Sequence, residues 1–141
     1  MKHFFLDTNI IIDVLIDRQP FSIQGQQLFD LGFKAEIKLY ISAVSYATIY
    51  YYIRKSCSSH DKTITILKEL EQFIETTDVT KAMIHNALHS DFKDFEDAIQ
   101  YNSANSKKIN AIITRNPKDF KNSKLLILSV EEALAMVKKP F

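Results

Sequence analysis

Short apolar runs punctuate this chain: Phe4-Phe5-Leu6, Ile37 to Ile41, Ala111-Ile112-Ile113-Thr114 and Leu125 to Leu128. Each is too short to make a helix and is rich in β-favouring residues, so each reads as a strand. Between them lie longer stretches whose apolar residues recur at helical spacing, most clearly Ile64, Leu67, Leu70 and Ile74, with Lys68, Glu69, Glu71 and Gln72 facing outward. Strands that alternate with helices favour a parallel sheet covered on both faces. The expected fold is therefore α/β: a three-layer α/β/α sandwich with a mostly parallel sheet of roughly five strands, Thr77 to Val79 being the fifth. With no internal repeat, low-complexity segment or linker, residues 1–141 read as one domain.

Local signals set the helix boundaries. A first helix runs from Thr8 to Asp17, where Arg18-Gln19-Pro20 stops it, because the residue before a proline disfavours helix. Ser22 is the expected cap of a second helix ending near Phe33, with Gly25 weakening its first turn, and Ser42 of a third through Ile49, Ile53 and Arg54. Polar residues from Ser56 to Asp61 end that helix. Further helices are expected over Thr80 to His89 and from Asp94 to about Ser106. A short one begins at Pro117, and Ser129-x-x-Glu132 is a capping box opening the last.

Composition removes several function classes. At 46% hydrophobic and 25% charged, the chain is neither disordered nor fibrous. A domain of 141 residues buries roughly two-thirds of its unfolded surface, enough to fold without a metal or disulfide. Cys57 is the only cysteine, which excludes an internal disulfide and suits a reducing compartment. No basic leader or apolar stretch of about 18 residues is present, so a cytoplasmic location without membrane contact is expected. The net charge of +1 supplies no global attraction to nucleic acid. Any such binding rests on local patches: Arg54-Lys55, Lys107-Lys108, or Arg115 with Lys118, Lys121 and Lys124. Otherwise these are solvated surface.

Acidic and amide residues fall where strands end and helices begin. Asp7 closes the first strand, Asp94 and Asp97 open the helix before the fourth, and Asn116 and Asp119 follow that strand directly. In an open α/β sheet, ligands bind outside the carboxyl ends of the strands, so all can converge on one rim. Asp94 and Asp97 share a helix face, whereas Glu96 is turned about 100° from Asp97 and about 200° from Asp94 and is the weaker candidate. Crowded carboxylates repel unless a hard cation sits between them, and such an ion can activate water for displacement at phosphorus. Local roles compete: Asp94 and Asn116 are also natural helix caps, with Asp97 and Asp119 in the turns that follow.

In chain order, Leu6-Asp7-Thr8-Asn9, then Ser42-Ala43-Val44 opening a helix, then Glu96-Asp97-Ala98-Ile99, then Ile113-Thr114-Arg115-Asn116-Pro117-Lys118-Asp119-Phe120, resemble the PIN domain family over nearly the whole chain. The resemblance implies a metal-dependent endoribonuclease, often the toxin of a bacterial toxin-antitoxin pair, that hydrolyses RNA phosphodiesters with metal-activated water. It makes Asp7, Asp97 and Asp119 catalytic acids and metal ligands, with Mg²⁺ or Mn²⁺ as cofactor. Asn116 matches a position where the family has aspartate or asparagine. The chain departs from the family at Thr48, which stands where a glutamate is usual. Asp94 is then the candidate for the missing charge, giving a set of Asp7, Asp94, Asp97 and Asp119. That is similar to a PIN subgroup with an Asp-Phe-Glu-Asp-Ala segment and a Tyr-Tyr pair like Tyr50-Tyr51. Thr8, Asn9, Arg115 and Asn116 are expected to orient the substrate phosphate. The partners implied are RNA, an antitoxin protein and a second copy of the chain.

Competing readings have their own signatures. Thr48 motivates a non-catalytic PIN-like module that binds RNA or a protein. A phosphatase with a nucleophilic aspartate after its first strand has a second aspartate two residues on, where this chain has Asn9. Receiver domains need a mid-chain aspartate after the third strand and a lysine after the fifth, and neither is found. His85 and His89 are spaced for a metal but lack a third ligand, and the Tyr46, Tyr50, Tyr51, Tyr52 cluster reads as packing.

Overall fold

A computed structural model describes residues 1–105 and 107–138. Its elements are β1 (Lys2–Leu6), α1 (Thr8–Leu15), α2 (Phe21–Phe33), β2 (Ile37–Ser42), α3 (Ser45–Cys57), α4 (His60–Phe73), β3 (Glu75–Thr77), α5 (Lys81–Leu88), α6 (Phe95–Asn105), β4 (Ala111–Ile113), a 3₁₀ turn at Pro117–Phe120, β5 (Leu126–Leu128) and α7 (Val130–Lys138). The five strands form one parallel sheet in the order β3-β2-β1-β4-β5.

Strand alternation explains the three layers. Phe4 and Leu6 of β1, Leu39 and Ile41 of β2, and Ala111 and Ile113 of β4 face a core shared with Ile11, Leu28, Ile49, Leu70 and Leu134 of the helices on that side. Phe5, Tyr40 and Ile112 point the opposite way, into a core closed by Ala104 of α6 and Phe120 of the 3₁₀ turn. The central strands are thus apolar on both faces, which is why they read as continuous runs rather than clean alternation. Among the described residues no helix is long and apolar enough to cross a membrane.

Several boundaries differ from the sequence reading. β3 lies at Glu75–Thr77 rather than Thr77 to Val79, because Thr77 is the residue that pairs with Ser42 at the end of β2. Ser22 does not cap α2: it lies inside the first turn, and its hydroxyl donates to Asp17 at 2.6 Å. Ser42 likewise belongs to β2 and accepts from the Val44 amide just before α3 begins. The cap of the fifth helix is Thr80, whose hydroxyl accepts from the Met83 amide, and the Ser129–Glu132 box forms reciprocally. Asn116 precedes the 3₁₀ turn without a side-chain cap bond, and Asp119 donates its amide to the Asn116 carbonyl. Ser106, the expected end of α6, lies outside the described residues.

Gly25 has a packing reason. A Cβ there would lie 2.6 Å from Cγ2 of Val14, so the missing side chain lets α1 and α2 approach. Left-handed turns are made without glycine: Asp17, Ala35 and Ser58 all have positive φ, each just past the end of a helix.

Candidate metal centre

The sheet order reverses direction between β1 and β4, since the chain runs from β1 outward through β2 to β3 and later returns to β4 on the other side. Such a switch point leaves a crevice at the carboxyl ends of the two strands. Leu6 pairs with Ile113, and the Asp7 amide extends the ladder by donating to the Ile113 carbonyl at 3.0 Å. The next residues on each strand, Asp7 and Thr114, therefore stand side by side.

Asp7 is only 4% exposed, yet its carboxylate is well bonded. Thr114 Oγ1 donates to Oδ2 at 2.8 Å and Gln100 Nε2 to Oδ1 at 3.2 Å. Burial nevertheless raises its pKa, outweighing these bonds, and the nearby charge of Asp119 pushes the same way. The Gln100 amide also reaches Oδ1 of Asp97 at 3.5 Å, so one side chain spans both acids, while its Oε1 accepts from the Thr8 amide at 3.0 Å. Gln100 is fully buried and ties the start of α1 to the first turns of α6.

Asp97 carries the clearest electrostatic signature. Its carboxyl is pushed up to about 8, first by burial and then by the charges of Asp7, Asp94, Asp119 and Glu96. Four carboxylates acting on a fifth place all five about a common centre. Asp94 joins it from just before α6, where its Oδ1 also accepts the Asp97 amide at 2.9 Å; it is both helix cap and member of the cluster. Asp119 reaches it from the exposed 3₁₀ turn.

Glu96 is also present, contrary to the helical-wheel expectation. That geometry took Asp94 as helical, whereas α6 starts at Phe95, and Glu96 swings instead toward α3. Thr48 Oγ1 donates to its Oε1 at 2.7 Å. Burial raises the Glu96 pKa, with Asp7 and Asp94 adding to it, and the Thr48 bond lowers it. The residue that stands in place of an α3 acid therefore holds an acid from α6 against α3.

The residues expected to orient phosphate divide. Asn9 is partly exposed at the start of α1 and Asn116 is exposed beside the acids. Thr8 is buried, with its hydroxyl 2.6 Å from Ser45 Oγ, and so fixes α1 to α3 instead of facing a ligand. Arg115 is held by buried Asp13, Nε to Oδ2 at 2.7 Å and an Nη to Oδ1 at 3.2 Å, with its guanidinium 4.0 Å over the Phe21 ring. Gln100 and Thr114 escaped the sequence reading. The strand register, which places Thr114 beside Asp7, was the one signal that pointed to either.

All-oxygen, anionic donors suit a hard divalent ion. Among the described residues no three His, Cys, Asp or Glu side chains are gathered tightly enough to close a metal site alone. Mg²⁺ characteristically takes one or two carboxylates and keeps several waters, so Asp7 and Asp97, bridged by one amide, match its demands. His85 of α5 and His89 just past its end lie with ring centroids 4.4 Å apart and planes tilted by 42°. Three of the α3 tyrosines have partners on neighbouring segments, Tyr46 bonding Thr76, Tyr50 bonding His60 and Arg18 sitting over Tyr52, while Tyr51 is exposed.

A family model described as PIN domain matches residues 3–118. Among solved structures, VapBC2 from Rickettsia felis, bound to a DNA fragment from its promoter, is similar at 21% identity and a TM-score of 0.64, covering 90% of this chain and 97% of that one. VapBC-1 from nontypeable Haemophilus influenzae is similar at 19% identity and 0.66, covering 92% and 98%. VapC20 of Mycobacterium tuberculosis, a sarcin-ricin loop cleaving toxin, is similar at 14% identity and 0.62, covering 77% and 86%. Comparison with curated protein sequences gives no match.

Proposed function

Because the chain belongs to the PIN domain family, we propose that it is a divalent-metal-dependent endoribonuclease acting as the toxin of a toxin-antitoxin pair. The observation that carries this reading is the pair of acids Asp7 and Asp97 bridged by the Gln100 amide at the β1/β4 switch point, with Asp94 bonded to the Asp97 amide beside them. Burial and the surrounding acids raise the pKa of the Asp97 carboxyl. Similarity to VapC and VapBC structures supports a toxin role and an antitoxin partner. A second copy of the chain is proposed as a further partner on the resemblance.

Asp7 and Asp97 would hold Mg²⁺ or Mn²⁺, and Asp94, Asp119 and Glu96 would supply further negative charge around it. When bound, the ion supplies an activated water and neutralises charge developing at phosphorus. Gln100 and Thr114 orient the Asp7 carboxylate, the task second-shell partners perform at metal sites. Thr48 orients Glu96, which takes over the charge otherwise expected on α3. Asn9 and Asn116 offer amides to the phosphate.

Asp7→Asn tests the reading. Metal-dependent cleavage of RNA should fall below detection while the protein stays folded, since the amide keeps the carboxylate's shape at the cost of one of its two accepted hydrogen bonds. Undiminished cleavage would sink the proposal. A second reading, a non-catalytic module binding RNA or protein, draws on Thr48 and on the absence of a closed three-ligand site among the described residues. Titrating Mn²⁺ into the purified protein separates the two, because a saturable site is required only by the first.

A further inference from the structure

Two cavities adjoin the acids, and their charges differ. The larger, about 350 Å³, is bordered by Asp13, Phe21, Thr114, Arg115 and Glu131. Its one cation is already committed to Asp13, leaving Glu131 to repel a phosphate. The other, about 290 Å³, lies between the segment before α6 and the 3₁₀ turn, where Lys93, Lys118 and Lys121 alternate with Asp91, Asp94 and Asp119. All three lysines are exposed. Among the described residues the ion pairs are those of Asp13 with Arg18 and Arg115, so none of these lysines is held in a direct ion pair, although three aspartates share the wall with them. Phe92, also in that wall, is fixed against Tyr101 and Phe120, with ring centroids 5.2 and 6.0 Å away, which holds the cavity in shape.

Resting on the ribonuclease reading above, we propose that this lysine-lined cavity seats the RNA backbone phosphate next to the scissile one. The substrate strand thereby leaves the acidic centre between α6 and the 3₁₀ turn, away from Arg115. A polyanion cannot approach five carboxylates without cations of its own, and a net charge of +1 provides no general attraction. Asp94 and Asp119 belong both to this wall and to the acidic centre, so the two sites are continuous. A divalent ion on that centre would offset their charge and leave the lysines facing the strand.

The test is the salt dependence of binding. A fluorescent uridine oligonucleotide is titrated in Ca²⁺, a hard cation for the carboxylates that replaces Mg²⁺ and Mn²⁺, with the strand checked to be intact after each titration, using wild type and Lys93→Ala/Lys118→Ala/Lys121→Ala. Each phosphate contact contributes about 0.7 to the slope of log K against log salt on single strands, so the triple variant, which loses the one seated phosphate, should lose about 0.7. Its affinity should fall about fivefold near 0.1 M salt. Lys34→Ala/Lys68→Ala, altered on the opposite core's helices, should match wild type. Unchanged slope and affinity in the triple variant overturn the proposal, as does loss of binding in Arg115→Gln while the triple variant binds normally. Should wild type bind through these lysines yet never cleave RNA with Mg²⁺ or Mn²⁺, the ribonuclease reading fails and the strand path stands. Cleavage with an unaltered slope gives the reverse.

Discussion

Asp7 shows how much one carboxylate at a strand end can convey. Its position after Leu6 was readable because a buried strand must end where its polar follower meets the rim. Its partners were not, since Gln100 is 93 residues away and Thr114 is 107. Thr48 is the sharper case. Sequence alone marks it as a lost charge, while the structure gives its hydroxyl to Glu96. Thr48→Val should cost about 0.5–1.5 kcal/mol of stability, the usual worth of one hydrogen bond, and weaken Mn²⁺ binding several-fold by releasing Glu96. Thr48→Ser keeps the donor and should restore affinity. Calorimetric titration with Mn²⁺ checks both; equal affinity in wild type and Thr48→Val would show that Glu96 plays no part.

Local chemistry and distant packing account for the boundaries that were and were not legible. The Ser129–Glu132 box and the Thr80 cap form within one turn, so sequence spacing suffices. Ser22 and Ser42 have the same capping chemistry but other uses: Asp17 in its left-handed turn claims the first, and pairing with Thr77 keeps the second in the sheet. Gly25 read as a weakness in α2, yet it is where α1 comes closest. Gly25→Ala should destabilise the protein by about 1–3 kcal/mol through overpacking against Val14. Adding Val14→Ala should recover part of that loss by opening the space, and urea unfolding of the single and double variants measures the coupling.

Charge gathered from three separate segments makes the folded molecule sensitive to pH. Asp97 keeps its proton up to about 8 when folded, against an ordinary aspartate value of 3.8, and burial moves Asp7 and Glu96 in the same direction. Between those two values the native state binds more protons than the unfolded chain, so stability falls as pH rises and levels off above about 8. Melting curves in EDTA between about pH 4 and pH 9 should show that decline in the metal-free protein, superimposed on the ordinary titration of the remaining groups. Mn²⁺ should offset it increasingly toward high pH, because the ion replaces the proton Asp97 must lose. A metal effect independent of pH across this range would argue against Asp97 as a ligand.

The alternation of short apolar runs with amphipathic helices determined the α/β class, the parallel sheet and the strand end that carries Asp7, because periodicity and burial are properties of contiguous residues. The β1/β4 switch point, the Gln100 bridge between Asp7 and Asp97, and the capture of Glu96 by Thr48 were decided only in three dimensions. Each joins residues some 50 to 110 positions apart. Such contacts depend on strand order and on the placement of α6 against α3, which local spacing does not encode.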